Sequence, residues 1–179
     1  MKRICIDPGH GPLSIGRMDP GATRAGHRES DINLSYAVAL AFICQQREIP
    51  HFLTRNTPDE IAPLNGRVAR AVDAGCDVLI SIHCNASINA DAHGTETLYD
   101  QGRPFAECVQ RAAMESIALR NRGTKHRPGL AMLKFPGPCA LVELGFISND
   151  EDRAKLLEVE TRWDFARALL NALTKDRWI

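Results

Sequence analysis

The sequence predicts an α/β protein with an open, twisted, mostly parallel sheet and helices on both faces. Short runs rich in β-forming residues alternate along the chain with segments of helical periodicity, which is the order expected of βα units. The run CDVLISIHCNA is almost continuously apolar, as expected of a parallel strand that is covered on both faces. These two patterns indicate the fold class.

Six strands and four helices are predicted in chain order. The strands are RICID (3–7), HFLTR (51–55), CDVLISIHCNA (76–86), GTETLY (94–99), LAMLK (130–134) and CALVELGF (139–146). The helices are 30–48, 64–75, 103–121 and a last one from 148 towards 178. Ser30 or Asp31 can cap the first helix. Ser148 and Glu151 stand at capping-box spacing at the start of the last helix.

Composition limits the function classes. The chain has 179 residues, 44% hydrophobic and 25% charged, with no net charge, so it suits one globular domain over residues 1–179. Neutrality gives no reason to expect binding to nucleic acid or to an anionic membrane. No apolar run approaches the roughly 18 residues of a membrane span. Six scattered cysteines without a C-x-x-C pair are expected to be reduced.

Polar side chains stand where ligands bind in an open α/β sheet, at the carboxyl ends of the strands. His10 follows the first strand, His83 lies near the end of the third, Glu143 lies in the last, and Glu29 precedes the first helix. Each has an ordinary alternative, such as a loop hydrogen bond for a histidine or the helix dipole for Glu29. Buried polar groups such as Glu143 and His83 are nevertheless costly without a partner or a task.

Together these residues suggest a catalytic metal. Two imidazoles and one carboxylate make a three-ligand set for zinc that leaves a fourth position for water. The carboxylate left over can accept and pass on a proton of that water, whose pKa zinc lowers towards about 7. The pattern therefore predicts metal-assisted hydrolysis.

Several motifs in order carry a family resemblance. They are IDPGHG, DPGA, RESDINL, VLISIHCNA, GTETLY and LVELGFISNDED, spread from about residue 3 to about residue 172. In this order they resemble the zinc-dependent N-acetylmuramoyl-L-alanine amidases of the amidase-3 family, which includes bacterial cell-separation amidases and phage endolysins. The resemblance implies an open α/β sheet, one Zn²⁺ ion, and peptidoglycan as the substrate. The implied reaction is hydrolysis of the amide between the lactyl group of N-acetylmuramic acid and L-alanine.

The resemblance also implies roles for individual residues. His10, Glu29 and His83 would be the zinc ligands and Glu143 the catalytic glutamate. Asn85, two residues after a ligand, is expected to support a ligand or contact the substrate.

Three residues lie near the motifs but match no family role. Cys84 stands where a small residue is expected, and strand alternation predicts that its side chain points away from the site. His27 and His93 lie in predicted loops, where substrate contact is the alternative to a solvated side chain.

Two further expectations concern partners and location. Between GTETLY and the helical segment near residue 105 there is only DQGRP. This connection is too short for the inserted helix that plugs many division-associated members. An enzyme that needs no activator protein is therefore expected.

The start MKRICIDP lacks the apolar core of a signal peptide, so we expect a cytoplasmic protein that reaches the wall after holin-type release, as a phage endolysin does. An exported bacterial enzyme whose leader has been removed is the alternative.

Two other functions remain open on sequence grounds. One is a zinc peptidase that cuts an unrelated peptide. Its products come from cleavage within a peptide, whereas the amidase releases a stem peptide with an alanine amino terminus. The other is a non-catalytic wall-binding module, which has no need for the fourth polar residue.

Overall fold

Ten strands and five helices make up the computed structural model, which describes residues 1–179. The strands are β1 (Ile4–Pro8), β2 (Gly11–Ser14), β3 (Arg17–Asp19), β4 (Thr23–Arg24), β5 (His27–Arg28), β6 (His51–Leu53), β7 (Val78–Asn85), β8 (Thr95–Tyr99), β9 (Asn121–His126) and β10 (Cys139–Phe146). The helices are α1 (Glu29–Gln46), α2 (Leu64–Asp73), α3 (Arg103–Ile117), α4 (Asp150–Leu157) and α5 (Val159–Lys175). None of these helices is both long enough and apolar enough to cross a membrane.

Six of the strands form the central sheet in the order β6-β1-β7-β10-β8-β9. Neighbours run parallel except β10 and β8, which are antiparallel. The predicted α/β class and mostly parallel sheet are therefore confirmed. The other four strands form two small hairpins, β2–β3 and β4–β5, inside the Gly- and Pro-rich segment between β1 and α1.

The two faces of the sheet have different coverings. Helices α1, α3 and α5 cover one face, where Ile6, Ile80 and Val142 join a core of 31 buried residues. Helix α2 and a short 3₁₀ turn at Met132–Lys134 cover the other face, above a core of nine buried residues that includes Leu79 and Leu141. Helices on both faces are therefore confirmed.

The second face also carries the polar residues of interest. Side chains alternate along a strand, so residues two or four positions apart lie on the same face of the sheet. Asp7 therefore shares this face with Cys5, His83 with Leu79, and Glu143 with Leu141. Each strand is thus apolar where α2 and the 3₁₀ turn cover it and polar at its carboxyl end. This arrangement creates the site.

The structure corrects two predicted elements. The predicted strand LAMLK is wrong, because residues 132–134 form the 3₁₀ turn. The third helix ends at Ile117 rather than at residue 121, since Ala118 takes a left-handed conformation with φ of 58°. The chain then continues as β9, which sequence analysis missed because NRGTKH lacks apolar alternation.

The predicted helix caps were also wrong. No side chain caps α1, whose N-cap position is Arg28. Asn149, not Ser148, caps α4 by accepting the backbone N–H groups of Glu151 and Asp152. The hydroxyl of Ser148 instead accepts the backbone N–H of Ser87 at 3.0 Å. The single predicted last helix is broken into α4 and α5 at residue 158, where ψ is 131°.

Candidate metal centre and active site

The motif Asp7-Pro8-Gly9-His10 brings a histidine onto the end of the sheet. His10 has a left-handed backbone with φ of 62°, an uncommon conformation for a residue other than glycine. Gly9 lies directly against the ring of His83, since a Cβ atom at Gly9 would fall 2.2 Å from that ring. Only glycine allows β1 and β7 to present both imidazoles at one point.

Two buried polar residues hold this turn. The guanidinium of Arg67, from α2, donates to the backbone carbonyl oxygens of Pro8 and His10 and to the carboxylate of Asp7. Arg67 is 2% exposed and Asp7 is fully buried. The hydroxyls of Thr54 and Ser81 donate to the two oxygens of Asp7. The buried charges are thus paired and hydrogen-bonded, as such charges must be.

The three predicted metal ligands meet at one point. Oε1 of Glu29, the first residue of α1, lies 3.1 Å from Nε2 of His10 and 3.0 Å from Nδ1 of His83. One ligand atom from each of the three side chains lies within 4.8 Å of the others. The ring centroids of the two histidines are 5.0 Å apart with the planes at 75°. The three side chains, which we call the His-Glu-His group, come from separate parts of the chain and form a potential metal-binding site.

A second layer of contacts orients the His-Glu-His group. The Oδ2 atom of Asp19 lies 2.9 Å from Nδ1 of His10, which leaves Nε2 directed at Glu29. The backbone N–H groups of Ala22 and Cys84 donate to the two carboxylate oxygens of Glu29 at 2.9 and 3.1 Å. Such outer contacts fix the tautomer and the ring position of a histidine ligand.

The second DPG motif therefore has a role that sequence analysis missed. Asp19 orients His10 and also accepts the backbone N–H of Gly21 at 3.0 Å. Gly21 has φ of +65°, and a Cβ atom there would lie 2.6 Å from Oε2 of Glu29. The only signal for this role in the sequence was that DPG, the tripeptide before His10, occurs again at residues 19–21.

Charges within the group shift its pKa values when no ion is bound. Burial lowers the pKa of His10, but hydrogen bonds and charge from Glu29 and Asp19 outweigh it and raise the pKa to about 9. Burial alone would raise the pKa of Glu29, yet the two histidines hold it well below the usual range. The metal-free group thus carries a protonated His10 and an ionised Glu29 at neutral pH.

Glu143 lies beside the His-Glu-His group. It is paired in register with His83 on β7 and with Glu96 on β8. Its Oε2 atom is buried and has no hydrogen-bond partner. Burial raises the pKa of Glu143 to about 7, with further upward contributions from Glu29 and Glu96 and a downward one from His83. A carboxyl group with a pKa near neutrality can both accept and release a proton.

Asn85 lies outside the His-Glu-His group but next to Glu143. Its amide donates to Oε1 of Glu96 at 3.1 Å, and it lines the same cavity as Glu143. The other oxygen of Glu96 pairs with Nε of Arg122 at 2.7 Å. The contact to Arg122 on β9 was not foreseen, because that strand was not predicted.

The side chains of the remaining residues singled out lie apart from the group. Cys84 is buried in the core on the opposite face from His83, and its sulfur lies 3.5 Å from Oδ1 of Asn33. His27 is exposed on β5, and His93 is half-buried with Nδ1 2.7 Å from the carbonyl oxygen of Asp91. All six cysteines are free thiols, as predicted.

A family model described as N-acetylmuramoyl-L-alanine amidase matches residues 4–175. This chain belongs to that amidase family. It is 31% identical over 172 residues to the N-acetylmuramoyl-L-alanine amidase LytC of Bacillus subtilis, a match that covers 93% of this chain and 34% of LytC. The chain thus spans about a third of that relative.

Solved structures agree with the family match. The catalytic domain of the amidase CwlV from Bacillus (Paenibacillus) polymyxa superposes with a TM-score of 0.90 at 27% identity, covering 100% of this chain and 99% of that one. The amidase AmiC2 of Nostoc punctiforme gives 0.88 at 31% identity, covering 99% and 98%. The predicted family, fold and enzyme class are therefore confirmed, and the amidase is favoured over the peptidase and the non-catalytic module.

Proposed function

We propose that this amidase hydrolyses the bond between the lactyl group of N-acetylmuramic acid and L-alanine with one Zn²⁺ ion held by His10, Glu29 and His83. The observation that carries the proposal is the convergence of one ligand atom from each of these three side chains within 4.8 Å, next to Glu143, whose Oε2 atom is buried and has no hydrogen-bond partner. Membership of the amidase family indicates which bond is cut, and the arrangement of these side chains indicates how it is cut.

The residues present fit a catalytic zinc ion. Two imidazole nitrogens and one carboxylate oxygen are a ligand set found at catalytic zinc, with a further position open. The contact of Asp19 with His10 is the kind of outer contact that such ligands have. When bound, zinc supplies a Lewis acid that polarises a carbonyl group and lowers the pKa of a water molecule.

Glu143 is the group that moves the proton in this proposal. Its carboxylate accepts a proton from the attacking water, whose oxygen bonds to the lactyl carbonyl carbon. The carbon–nitrogen bond then breaks, and Glu143 returns the proton to the departing alanine nitrogen. Burial raises the pKa of this carboxyl group above its usual range, which favours a group that must both accept and release a proton near neutral pH. Asn85 and Arg122 hold Glu96, the carboxylate beside Glu143.

Analysis of the products tests this function. Purified enzyme loaded with zinc should release from peptidoglycan intact stem peptides with a free alanine amino terminus, detected by mass spectrometry. A chelator should abolish the release, and added Zn²⁺ should restore it. Peptides cut internally, with the muramoyl–alanine bond left intact, would contradict the proposal.

We also propose that no activator protein is required. Only residues 100–102 connect β8 to α3, so this connection contributes no helix that covers Glu143. The purified enzyme should therefore digest sacculi alone. Activity that appeared only after a partner protein was added would contradict this. Cytoplasmic synthesis followed by holin-type release stays a prediction, which the neighbouring genes test.

A further inference from the structure

A cavity of about 470 Å³ opens beside Glu143, above β8 and β9. Its lining includes Glu143 on β10 and Glu96 on β8, together with Arg122 and Lys125 on β9 and Arg127 directly after β9. We call this cavity the cationic pocket. Lys125 is paired in register with Leu98, which is two residues after Glu96 and so lies on the same face of the sheet as Glu143.

The charges of the cationic pocket are not balanced. The charge of Arg122 is already paired, because its Nε atom lies 2.7 Å from the carboxylate of Glu96. Its guanidinium also lies over the ring of Phe146, 4.9 Å from the centroid. Lys125 and Arg127 are exposed and take part in none of the ion pairs or side-chain hydrogen bonds of the structure. The pocket therefore presents two unpaired cations next to the group that moves the proton.

The position of Glu143 decides which part of the substrate faces the pocket. Glu143 returns its proton to the alanine nitrogen, so that nitrogen must lie on the Glu143 side of the scissile bond. The His-Glu-His group lies towards β1 and β7, and the cationic pocket lies towards β8 and β9. The stem peptide, which begins at this nitrogen, therefore extends over the cationic pocket, and the sugar lies on the other side.

We propose that the cationic pocket binds a carboxylate of the stem peptide through Lys125 and Arg127. This inference rests on the proposed function, since it assigns the peptide side of the same site. Lysine and arginine side chains form charge-assisted hydrogen bonds with carboxylates, and the contact holds the peptide in place while its amide is cut. An enzyme built in this way prefers an acidic stem peptide to a neutral one.

A matched pair of substrates tests the proposal. One is a soluble muropeptide with free carboxylates on its stem peptide, and the other has the same carboxylates converted to carboxamides. The unmodified enzyme should cleave the acidic substrate with a kcat/KM on the order of tenfold higher. Because the pocket is open to solvent, the preference should shrink as salt is added.

Variants assign the preference to the pocket. Lys125→Met and Arg127→Met should each lower kcat/KM for the acidic substrate several-fold, mainly through KM, and should leave the carboxamide substrate nearly unchanged. Lys175→Met, which removes an exposed lysine from the last turn of α5, is the matched control and should change neither. Circular dichroism shows whether each variant is folded.

The outcomes distinguish failure of the proposed carboxylate site from failure of the proposed amidase function. Equal cleavage of the two substrates by the unmodified enzyme, or an equal loss on both substrates in the variants, would overturn the carboxylate site alone. If neither substrate released a stem peptide, the proposed function would fail and this inference with it.

Discussion

Zinc binding should displace a proton from His10. In the metal-free protein the pKa of this imidazole is raised to about 9, whereas zinc binds only the neutral ring. A pKa about 2 units above pH 7 leaves about one molecule in a hundred neutral at that pH. Apparent zinc affinity should therefore be about 100-fold weaker at pH 7 than above pH 9, a cost of about 3 kcal/mol. Glu29 adds nothing to this dependence, because its pKa is held low.

Two measurements check this prediction. A nuclear magnetic resonance titration of the metal-free protein should show His10 protonated at pH 7, and chelator competition should show zinc affinity rising with pH up to about 9. Asp19→Asn removes one of the charges that raise the pKa, so its affinity should stop rising at a lower pH. It should also bind zinc about 10- to 100-fold more weakly, since it disturbs an outer contact of a ligand. A neutral His10 at pH 7, or an affinity that does not vary with pH, would refute the reasoning.

Two substitutions test the supports of the site. Gly21→Ala places a Cβ atom 2.6 Å from Oε2 of Glu29 and 2.7 Å from the ring of His10, so the variant should lose stoichiometric zinc, measured by atomic emission. Arg67→Met leaves the buried carboxylate of Asp7 without its charged partner. It should lower the free energy of unfolding by about 3–5 kcal/mol, measured by urea denaturation.

Each of these substitutions has a matched control. Gly16→Ala also changes a glycine of positive φ, +73°, but its Cβ atom would meet nothing within 4 Å, so it should keep zinc. Arg70→Met, also on α2, breaks a partly exposed pair with Glu60 and should cost at most about 1 kcal/mol. Equal effects of a substitution and its control would show that the named contacts are not the cause.

Apolar patterning explains how much of the fold was predictable. The runs that became β1, β7 and β10 are buried on both faces, and their composition alone indicates strands. Strand β9 was missed because it is a polar edge strand, held in place by pairing with β8 rather than by apolar side chains of its own. LAMLK was misassigned because a short apolar run has no periodicity that separates a strand from a turn.

The site likewise contains residues that the sequence pattern indicated and residues that it did not. His10, His83 and Glu143 were singled out because a polar residue at the end of an apolar strand is conspicuous, and Glu29 because it precedes the predicted first helix. Arg67 gave no such signal, since its contacts with the turn at residues 8–10 join parts of the chain that only the folded structure brings together.

The most direct measurement is to determine zinc content and turnover together in the variant Glu143→Gln. The division of labour proposed here, three side chains for the ion and a fourth for the proton, predicts one zinc ion per chain and a rate lower by about 10²–10⁴-fold. A variant that retained the full rate, or that lost its zinc, would contradict it.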